Sequence, residues 1–459
     1  MLTLLALFVA LQIGVGLWVA RRVRAAADFF VAGRRLPAPL VFATFLAANI
    51  GAGSTIGAAS LGYTVGLGGW WWNGSAGLGS LVFAAWAGPR LWRLAKERGF
   101  FTLGDFLEWR YGRTTRAVSS VIIWTISLSI LAGQLLGASS ILQVVAGLPP
   151  WAGAVTASIV VSLYFVAGGL LTSAWVNVVQ LAVKLTGFAI AFPLALSAAG
   201  GWTAIRLSAD IPATFLSPVG NGGSALWLLP LLAPAFIVSP GLVQKAYGAV
   251  DDNAVRVGVG ASAVVLILFA ILPVGLGMAA RVLHPHLPSA DQALPTLLSH
   301  DLPPWVGALT LAGVFGAEIS AADAVLFMLS TSLSLDIYRR FLSPSATDAR
   351  MLAVARGSAI VATVAGLAMA MAVPTVVDAL KIFYSILTVA LAVPVIGGLL
   401  WRRPDERSAL AAMVAGVATT MIVTLGVQGG SVAGWPPVAL GLLAAAVAFA
   451  LSSTVARTR

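Results

Sequence analysis

The stretch Phe42-Ala-Thr-Phe-Leu-Ala-Ala-Asn-Ile-Gly-Ala-Gly-Ser-Thr-Ile-Gly57 decides the fold. It belongs to an apolar run long enough to cross a bilayer, yet Gly51 and Gly53 stand near its midpoint beside Asn49 and Ser54. In hydrocarbon every backbone N–H and C=O needs a partner, so unwound backbone persists only where it lines a cavity or is buried in protein. A stripe of small residues for close helix packing is the alternative interpretation.

The composition places most of this chain in lipid. Of 459 residues, 59% are hydrophobic and 9% are charged, whereas soluble domains have about 45–50% apolar and about 25% charged residues. The chain has no cysteine, which excludes disulfides, thiolate metal sites and cysteine nucleophiles. The formal net charge of +11 is typical of proteins that bind nucleic acid or an anionic membrane face.

Apolar runs divide the chain into spanning helices. One span needs roughly 20 mainly apolar residues. The first run follows the initiator Met without a basic segment or a small-residue cleavage site, so we expect a retained leading helix. The sequence therefore predicts an all-α polytopic membrane protein of one domain, 1–459, with about thirteen spans at 2–20, 38–63, 67–92, 117–146, 153–169, 174–198, 225–244, 255–280, 305–333, 352–373, 378–400, 408–428 and 437–455.

The distribution of positive charge predicts the orientation. With the N-terminus outside, all but four of the 27 Lys and Arg residues fall in cytoplasmic segments, as the positive-inside rule requires. These segments are 21–37, 90–116, 168–175, 245–256, 336–356, 402–407 and the C-terminus; the four exceptions are Lys184, Arg206, Arg281 and Lys381. Charge spread over alternate loops argues against nucleic acid and for lipid as the partner. The compactness of the chain suggests a bacterial or archaeal cytoplasmic (inner) membrane, with the C-terminus inside.

A second interruption occurs five spans after the first, at Ala233-Pro-Ala-Phe-Ile-Val-Ser-Pro-Gly241. Two broken helices in corresponding positions of two halves are typical of inverted-repeat secondary transporters, which bind the solute between the breaks.

Six short motifs follow one another along the chain. They are Asp28-Phe-Phe-Val-Ala-Gly-Arg34, Ala47-Ala-Asn-Ile50, Gly168-Gly-Leu-Leu-Thr-Ser-Ala-Trp175 with Gln180, Asp291-Gln-Ala-Leu-Pro-Thr-Leu297, Ile319-Ser-Ala-Ala-Asp323 and Asp336-Ile-Tyr338. As an ordered set they resemble the motifs of the sodium:solute symporter family. The resemblance implies the LeuT-like fold, a 5+5 inverted repeat. On this chain the repeats are 38–198 and 225–400, with one leading helix and two trailing helices in 408–455.

The resemblance also implies a sodium site between the first broken helix and the eighth core helix. Carried over by position, its oxygens are the carbonyls of Ala47, Ile50 and Ala317 and the hydroxyl of Ser320. A hard cation in lipid needs such an oxygen shell in place of water. The next position of the shell is Ala321, which offers no side-chain oxygen.

A second departure concerns the anionic ligand of a second family site, which is Asn177 here. Lys184 follows two turns later on the same face, on the order of 15 Å from the helix start and thus near the bilayer midplane. Intramembrane charges are functional by default, although Lys184 paired with Glu318 or Asp323 for packing alone is the alternative. We hypothesise that the ammonium occupies or borders the sodium position, which leaves Na⁺ and H⁺ as competing coupling ions.

Two carboxylates lie deep in the same span, Glu318 and Asp323. Five residues place them about 140° apart on a helix, so one partner cannot face both. Asp323 is three residues from Ser320 and is expected to flank the ion site, whereas Glu318 is expected to point elsewhere.

Residues at the breaks and in neighbouring spans are the candidates for solute binding. The positive end of the half-helix opened around Gly51–Ser54 suits a carboxylate, so the solute is expected to be a small neutral or anionic organic molecule. Cation-coupled symport is the predicted function, with no enzyme activity and no cofactor beyond Na⁺ or H⁺. A transport-like sensor or receptor without flux is the alternative. The candidates are Asn49, Ser54, Trp72, Asn73, Phe236, Ser239 and Tyr384.

Overall fold

The computed structural model describes residues 32–166, 170–208, 211–401, 405–427 and 431–455, with four isolated helical positions in the leading segment. The predicted leading helix at 2–20 lies otherwise outside the described residues, as do the start of the 28–34 motif and residues 168–169 of the 168–175 motif. Side chains are described for 33–163, 177–208, 211–401, 405–427 and 431–453.

The described chain is almost entirely helical. Side-chain caps begin several helices, among them Thr102, Asp251, Thr375 and Asp405, which accept orphan N–H groups of the first turn. The helices are α1 Ala38–Asn49, α2 Ala58–Val65, α3 Trp70–Val82, α4 Gly88–Arg98, α5 Leu103–Arg110, α6 Arg113–Ala146, α7 Pro150–Val166, α8 Leu170–Ala198, α9 Gly201–Leu207, α10 Leu228–Val238, α11 Pro240–Tyr247, α12 Asp252–Phe269, α13 Ile271–Leu283, α14 Ala293–His300, α15 Pro304–Thr331, α16 Asp348–Ala372, α17 Val376–Leu400, α18 Glu406–Gly426 and α19 Pro437–Val455.

Many of these helices are long and apolar enough to cross a membrane. Within the described residues there are eight such segments, or nine if the bent pair Ala38–Asn49 and Gly53–Arg98 is one span. Two shorter apolar helices, Pro150–Leu163 and Pro437–Ser453, accompany them. The helical membrane architecture follows, while the number thirteen stays a prediction.

The first interruption lies where the glycines predicted it. Helix α1 ends at Asn49, Ile50 leaves helical geometry (φ −98°, ψ 78°), and a π-helical turn, Gly53–Gly57, leads into α2. The two segments are bent by 63°. A π-turn and a sharp break in one span are features that recur at functional sites.

The second interruption is a single residue. Ser239 has an extended ψ of 120° between α10 and α11, and Pro240 opens the next helix because its missing N–H costs nothing at a first turn. Backbone hydrogen bonds connect the start of the first broken helix to the end of the second. Leu36 N–H donates to Gly248 O and Val250 N–H donates to Leu36 O, both at 3.0 Å.

A dense ion-pair cluster, here called the Arg116 cluster, packs α5 and α6 against the end of the α15 span. Arg116 contacts Asp105 at 2.9 Å, Glu108 at 2.8 Å and Asp336 at 2.6 Å. Thr102 donates to the same Asp336 oxygen at 2.6 Å.

At the opposite end, a short loop helix closes over the bundle through Asp291. Its carboxylate accepts a hydrogen bond of 2.8 Å from Val376 N–H at the start of α17. Burial raises the pKa of Asp291 to about 6, and the Val376 hydrogen bond acts in the opposite direction. The aspartate of the 291–297 motif thus joins the loop to a core helix.

Candidate solute and cation sites

One cavity lies between the two helix breaks. Its walls come from α1, α3, α6, α10, α11, α15 and α17. All the solute candidates chosen from sequence line it, namely Asn49, Ser54, Trp72, Asn73, Phe236, Ser239 and Tyr384. Elements far apart in the chain therefore bring these side chains together, which packing by a small-residue stripe alone does not require.

Aromatic rings form one wall of this cavity. The rings of Trp72 and Tyr384 meet edge to face with centroids 6.0 Å apart, and Phe236 lies 5.6 Å from Tyr384. Rings from three separate helices packed in this way make a stiff apolar surface.

The polar wall follows the first break. Asn73 Nδ2 donates to Ser54 O at 3.0 Å, and the Ser54 hydroxyl donates to Asn49 O. Asn49 is 7% exposed, and its Nδ2 has no hydrogen-bond partner among the described residues. The lining thus includes a residue with a buried amide donor that has no acceptor within the described part of the chain.

A glutamine that sequence reasoning missed holds the break open. Gln134 Oε1 accepts a hydrogen bond of 2.8 Å from Ala52 N–H, which has lost its helical partner. A Cβ at Gly51 would lie 2.6 Å from that same oxygen and 2.4 Å from Ala321 Cβ. Glycine at position 51 is thus required by close approach. A glutamine in the middle of the apolar run that forms α6 was the available signal.

Lys184 lies against the break. It is fully buried, and its Nζ donates to Ile50 O at 3.2 Å. Close packing of α8 on α15 makes this approach possible, since a Cβ at Gly313 would lie 2.9 Å from Lys184 Cα. The carbonyl that the resemblance assigns to sodium is therefore bonded to an ammonium group.

Glu318 corrects an expectation from helix geometry. It was expected to point away from the ion site, but Thr55 Oγ1 lies 2.8 Å from its Oε1, and its charge acts on Lys184. Its Oε2 has no hydrogen-bond partner within the described part of the chain. The bend at Gly51–Gly53 is the reason, because it turns Thr55 toward α15.

The expectation that Asp323 flanks the ion site stays a prediction. Its charge acts on Lys245, which lines the solute cavity. Lys245 had been assigned to the cytoplasmic segment 245–256, whereas α11 continues to Tyr247 and Lys245 is 3% exposed. A cation immediately after a proline-broken apolar run was the signal that the loop assignment overlooked.

The other residues of the expected sodium site have surroundings of their own. Ser320 Oγ donates to Asn177 Oδ1 at 2.6 Å, so the hydroxyl and the amide satisfy each other. Ala47 lies in the last turn of α1, where carbonyls lack helical partners. Ala317 lies inside the unbroken α15.

Comparison with known proteins assigns the family. The model of the sodium:solute symporter family matches residues 29–416, which is most of the chain. The chain therefore belongs to the sodium:solute symporter family, and it is a multi-pass membrane transporter rather than an enzyme.

Two curated relatives and one solved structure cover nearly the whole chain. A sodium/glucose cotransporter of Vibrio parahaemolyticus is 24% identical over 90% of this chain and 82% of its own length. A sodium/pantothenate symporter of Escherichia coli is 26% identical over 92% and 89%. The structure of a Na⁺-coupled sialic acid symporter superposes with a TM-score of 0.79 at 18% identity, over 99% of this chain and 97% of that one. That superposition gives the chain the LeuT-like fold.

Proposed function

We propose that this member of the family is a secondary active symporter that carries a small organic solute by alternating access. The observation that carries the proposal is the cavity between the two breaks, whose walls unite all the solute candidates. The segments 38–198 and 225–400 are the proposed inverted repeats, which rock against each other around this site. The proposed location is a cytoplasmic membrane, with the N-terminus outside.

The proposed coupling ion is a proton held by Lys184 and Glu318. A sodium ion at this place would have to displace an ammonium from Ile50 O and would find no side-chain oxygen on Ala321. Ser320 already donates to Asn177, and Asn177 carries no charge. These losses weaken a shell that a hard cation needs in full. The relatives named above are sodium-coupled, so Na⁺ is the competing ion.

The proton acts through the bond between Lys184 and the break. When Lys184 is charged, Nζ donates to Ile50 O and holds α8 against the end of α1. When the proton leaves, the neutral amine attracts that carbonyl less strongly, and the first broken helix is released. Because backbone bonds at Leu36 tie the ends of both broken helices, the second moves with the first.

Uptake into proteoliposomes separates the two ions. The solute is first chosen by a thermal-shift screen of sugars, pantothenate, sialic acid and short carboxylates. We expect accumulation under an inward proton gradient without Na⁺, and none under a Na⁺ gradient with the proton gradient collapsed. Robust accumulation under the Na⁺ gradient alone contradicts proton coupling.

A flux assay tests the symporter itself. Counterflow of labelled solute requires alternating access but no coupling ion gradient, so a transporter shows it and a sensor or receptor does not. If a solute stabilises the protein and counterflow is absent, the sensor replaces the symporter.

A further inference from the structure

Lys245 places a positive charge in the wall of the solute cavity. It lies in α11, directly after the second break, and is 3% exposed. Its Nζ donates to Thr44 Oγ1 at 3.3 Å, and the charge of Asp323 acts on it. Lys245 therefore connects α11, α1 and α15 at one end of the cavity.

The local partners do not saturate this ammonium. An ammonium has three N–H donors, and the Thr44 bond is near the long limit for hydrogen bonds. A buried cation of this kind gains from an additional anionic acceptor. Since Lys245 lines the cavity, an occupant of the cavity can supply it.

A second, independent donor faces the same space. Asn49 lines the cavity, and its buried Nδ2 has no acceptor among the described residues. Asn49 follows Thr44, the partner of Lys245, by five residues of α1, or about 7.5 Å of helix rise. One small solute can therefore reach both donors.

The rest of the lining restricts the body of the solute. The aromatic wall consists of Trp72, Phe236 and Tyr384. It is extended by Leu242, Met328 and Phe383. A compact apolar group fits this surface, while an extensively hydroxylated molecule would leave most hydroxyls without partners.

We propose that the cavity binds a small organic monocarboxylate, with the carboxylate at Lys245, a second acceptor atom at Asn49 Nδ2 and an apolar body against the aromatic wall. The inference rests on the proposed function, because it concerns the cavity of the same symporter.

The charges around the cavity agree with an anionic cargo moved with a proton. Lys184, Lys245, Glu318 and Asp323 are each at most 8% exposed, and their formal charges cancel only when Lys184 holds its proton. A bound carboxylate adds one negative charge, which is costly at this depth unless compensated. The proton that Lys184 takes up offsets this added charge, so one proton and one monocarboxylate move no net charge and the proposed symport is electroneutral.

Matched acids and amides test the assignment. Pyruvate, propionate and isovalerate are compared with the corresponding primary amides, which keep the shape and lose the charge. Binding is measured by thermal shift on the purified full chain. We expect at least one acid to bind, and its amide to bind about tenfold more weakly or worse, since each lost charged hydrogen bond is worth about 1.4 kcal/mol or more.

Lysine variants locate the charge. Lys245→Met is expected to weaken acid binding about tenfold or more, with partial recovery in Lys245→Arg. Lys381→Met removes a lysine whose side chain is exposed, and it is expected to leave binding unchanged. If Lys245→Met does not fold, the comparison of acid and amide on the unaltered protein decides.

Each outcome bears on one proposal. If no acid binds, if an acid and its amide bind equally, or if folded Lys245→Met binds acid as the unaltered protein does, the carboxylate assignment is wrong, while counterflow of another solute would still support symport. An acid that binds but shows no counterflow overturns symport and leaves the assignment intact. Proton-driven acid uptake that changes with an imposed membrane potential contradicts electroneutrality.

Discussion

Arg116 and Lys184 are both buried cations, but their surroundings differ. Arg116 contacts three carboxylates within 2.9 Å. Lys184 donates to one main-chain carbonyl at 3.2 Å, and its counter-charge, Glu318, keeps one oxygen unpaired within the described residues. A cation that contacts several carboxylates holds a structure together, whereas one with few partners at a helix break can change its contacts at small cost. The number of partners thus distinguishes a cation that stabilises the fold from one that is proposed to take part in coupling.

The largest expected effect is on stability, and it comes from removing the charge of Arg116. Arg116→Met leaves Asp105, Glu108 and Asp336 without their shared cation. Removing one partner of a buried ion network typically costs about 3–5 kcal/mol. We expect a marked fall in the unfolding temperature, measured by tryptophan fluorescence in detergent. Arg113→Met is the control, since that side chain is mostly exposed and its loss should be small. Equal stability of the two variants would remove the structural role of the Arg116 cluster.

The second variant removes the charge of Lys184, the cation with the proposed role in coupling. Lys184→Met has similar length and no charge, and the one carboxyl that it leaves behind, Glu318, can take up a proton. The loss of stability should therefore be smaller than in Arg116→Met, where three carboxylates lose their shared cation. Proton-driven uptake should fall about a hundredfold, or about 2.7 kcal/mol. Uptake that survives with its pH dependence intact would show that Lys184 is not part of the coupling.

Rebuilding the sodium shell sharpens the comparison. The triple variant Lys184→Ala, Ala321→Ser and Asn177→Asp removes the ammonium. It also supplies a hydroxyl and a carboxylate at the two positions where this sequence lacks the ligands implied by the family resemblance. We expect Na⁺ to stabilise this variant by about 1–2 kcal/mol when its concentration is about ten times the dissociation constant, as measured by thermal shift. Choline replaces Na⁺ in the control. Stabilisation of the unaltered protein by Na⁺ to the same degree would mean that its shell was never lost.

The smallest expected effect on stability concerns Asp291, which accepts a hydrogen bond from Val376 N–H. The raised pKa of Asp291, about 6 against an ordinary 3.8, means that the folded state binds the proton more tightly than the unfolded state. Stability is therefore greatest below the ordinary value and falls as pH rises through about 6. Between about pH 5 and about pH 7 the expected loss is about 1 kcal/mol.

Asp291→Asn tests this assignment. It keeps an acceptor for Val376 N–H and cannot ionise, so the pH dependence in that window should disappear from urea or thermal unfolding curves. An unchanged slope in the variant would assign the effect to another group.

Much of the fold followed from local patterns. Apolar runs predicted the helices, and the glycines at positions 51 and 53 predicted the first break, because unwound backbone in lipid is costly and glycine permits it. Lys245 shows the limit of such patterns. A positive residue after an apolar run resembles a loop anchor, and only the direction of α11 turns it into the cavity. Glu318 shows the same limit, since helical spacing gives angles about one axis and not the bend of the neighbouring helix.

The sequence by itself determined that this chain is a helical membrane transporter with interrupted spans, because hydrophobic length and backbone hydrogen bonding are local requirements that composition satisfies or violates. Only the tertiary structure decided which charge meets which. Lys184 bonds Ile50 O and is influenced by Glu318, and Lys245 is influenced by Asp323, because partners drawn from distant helices are selected by packing and bending in three dimensions.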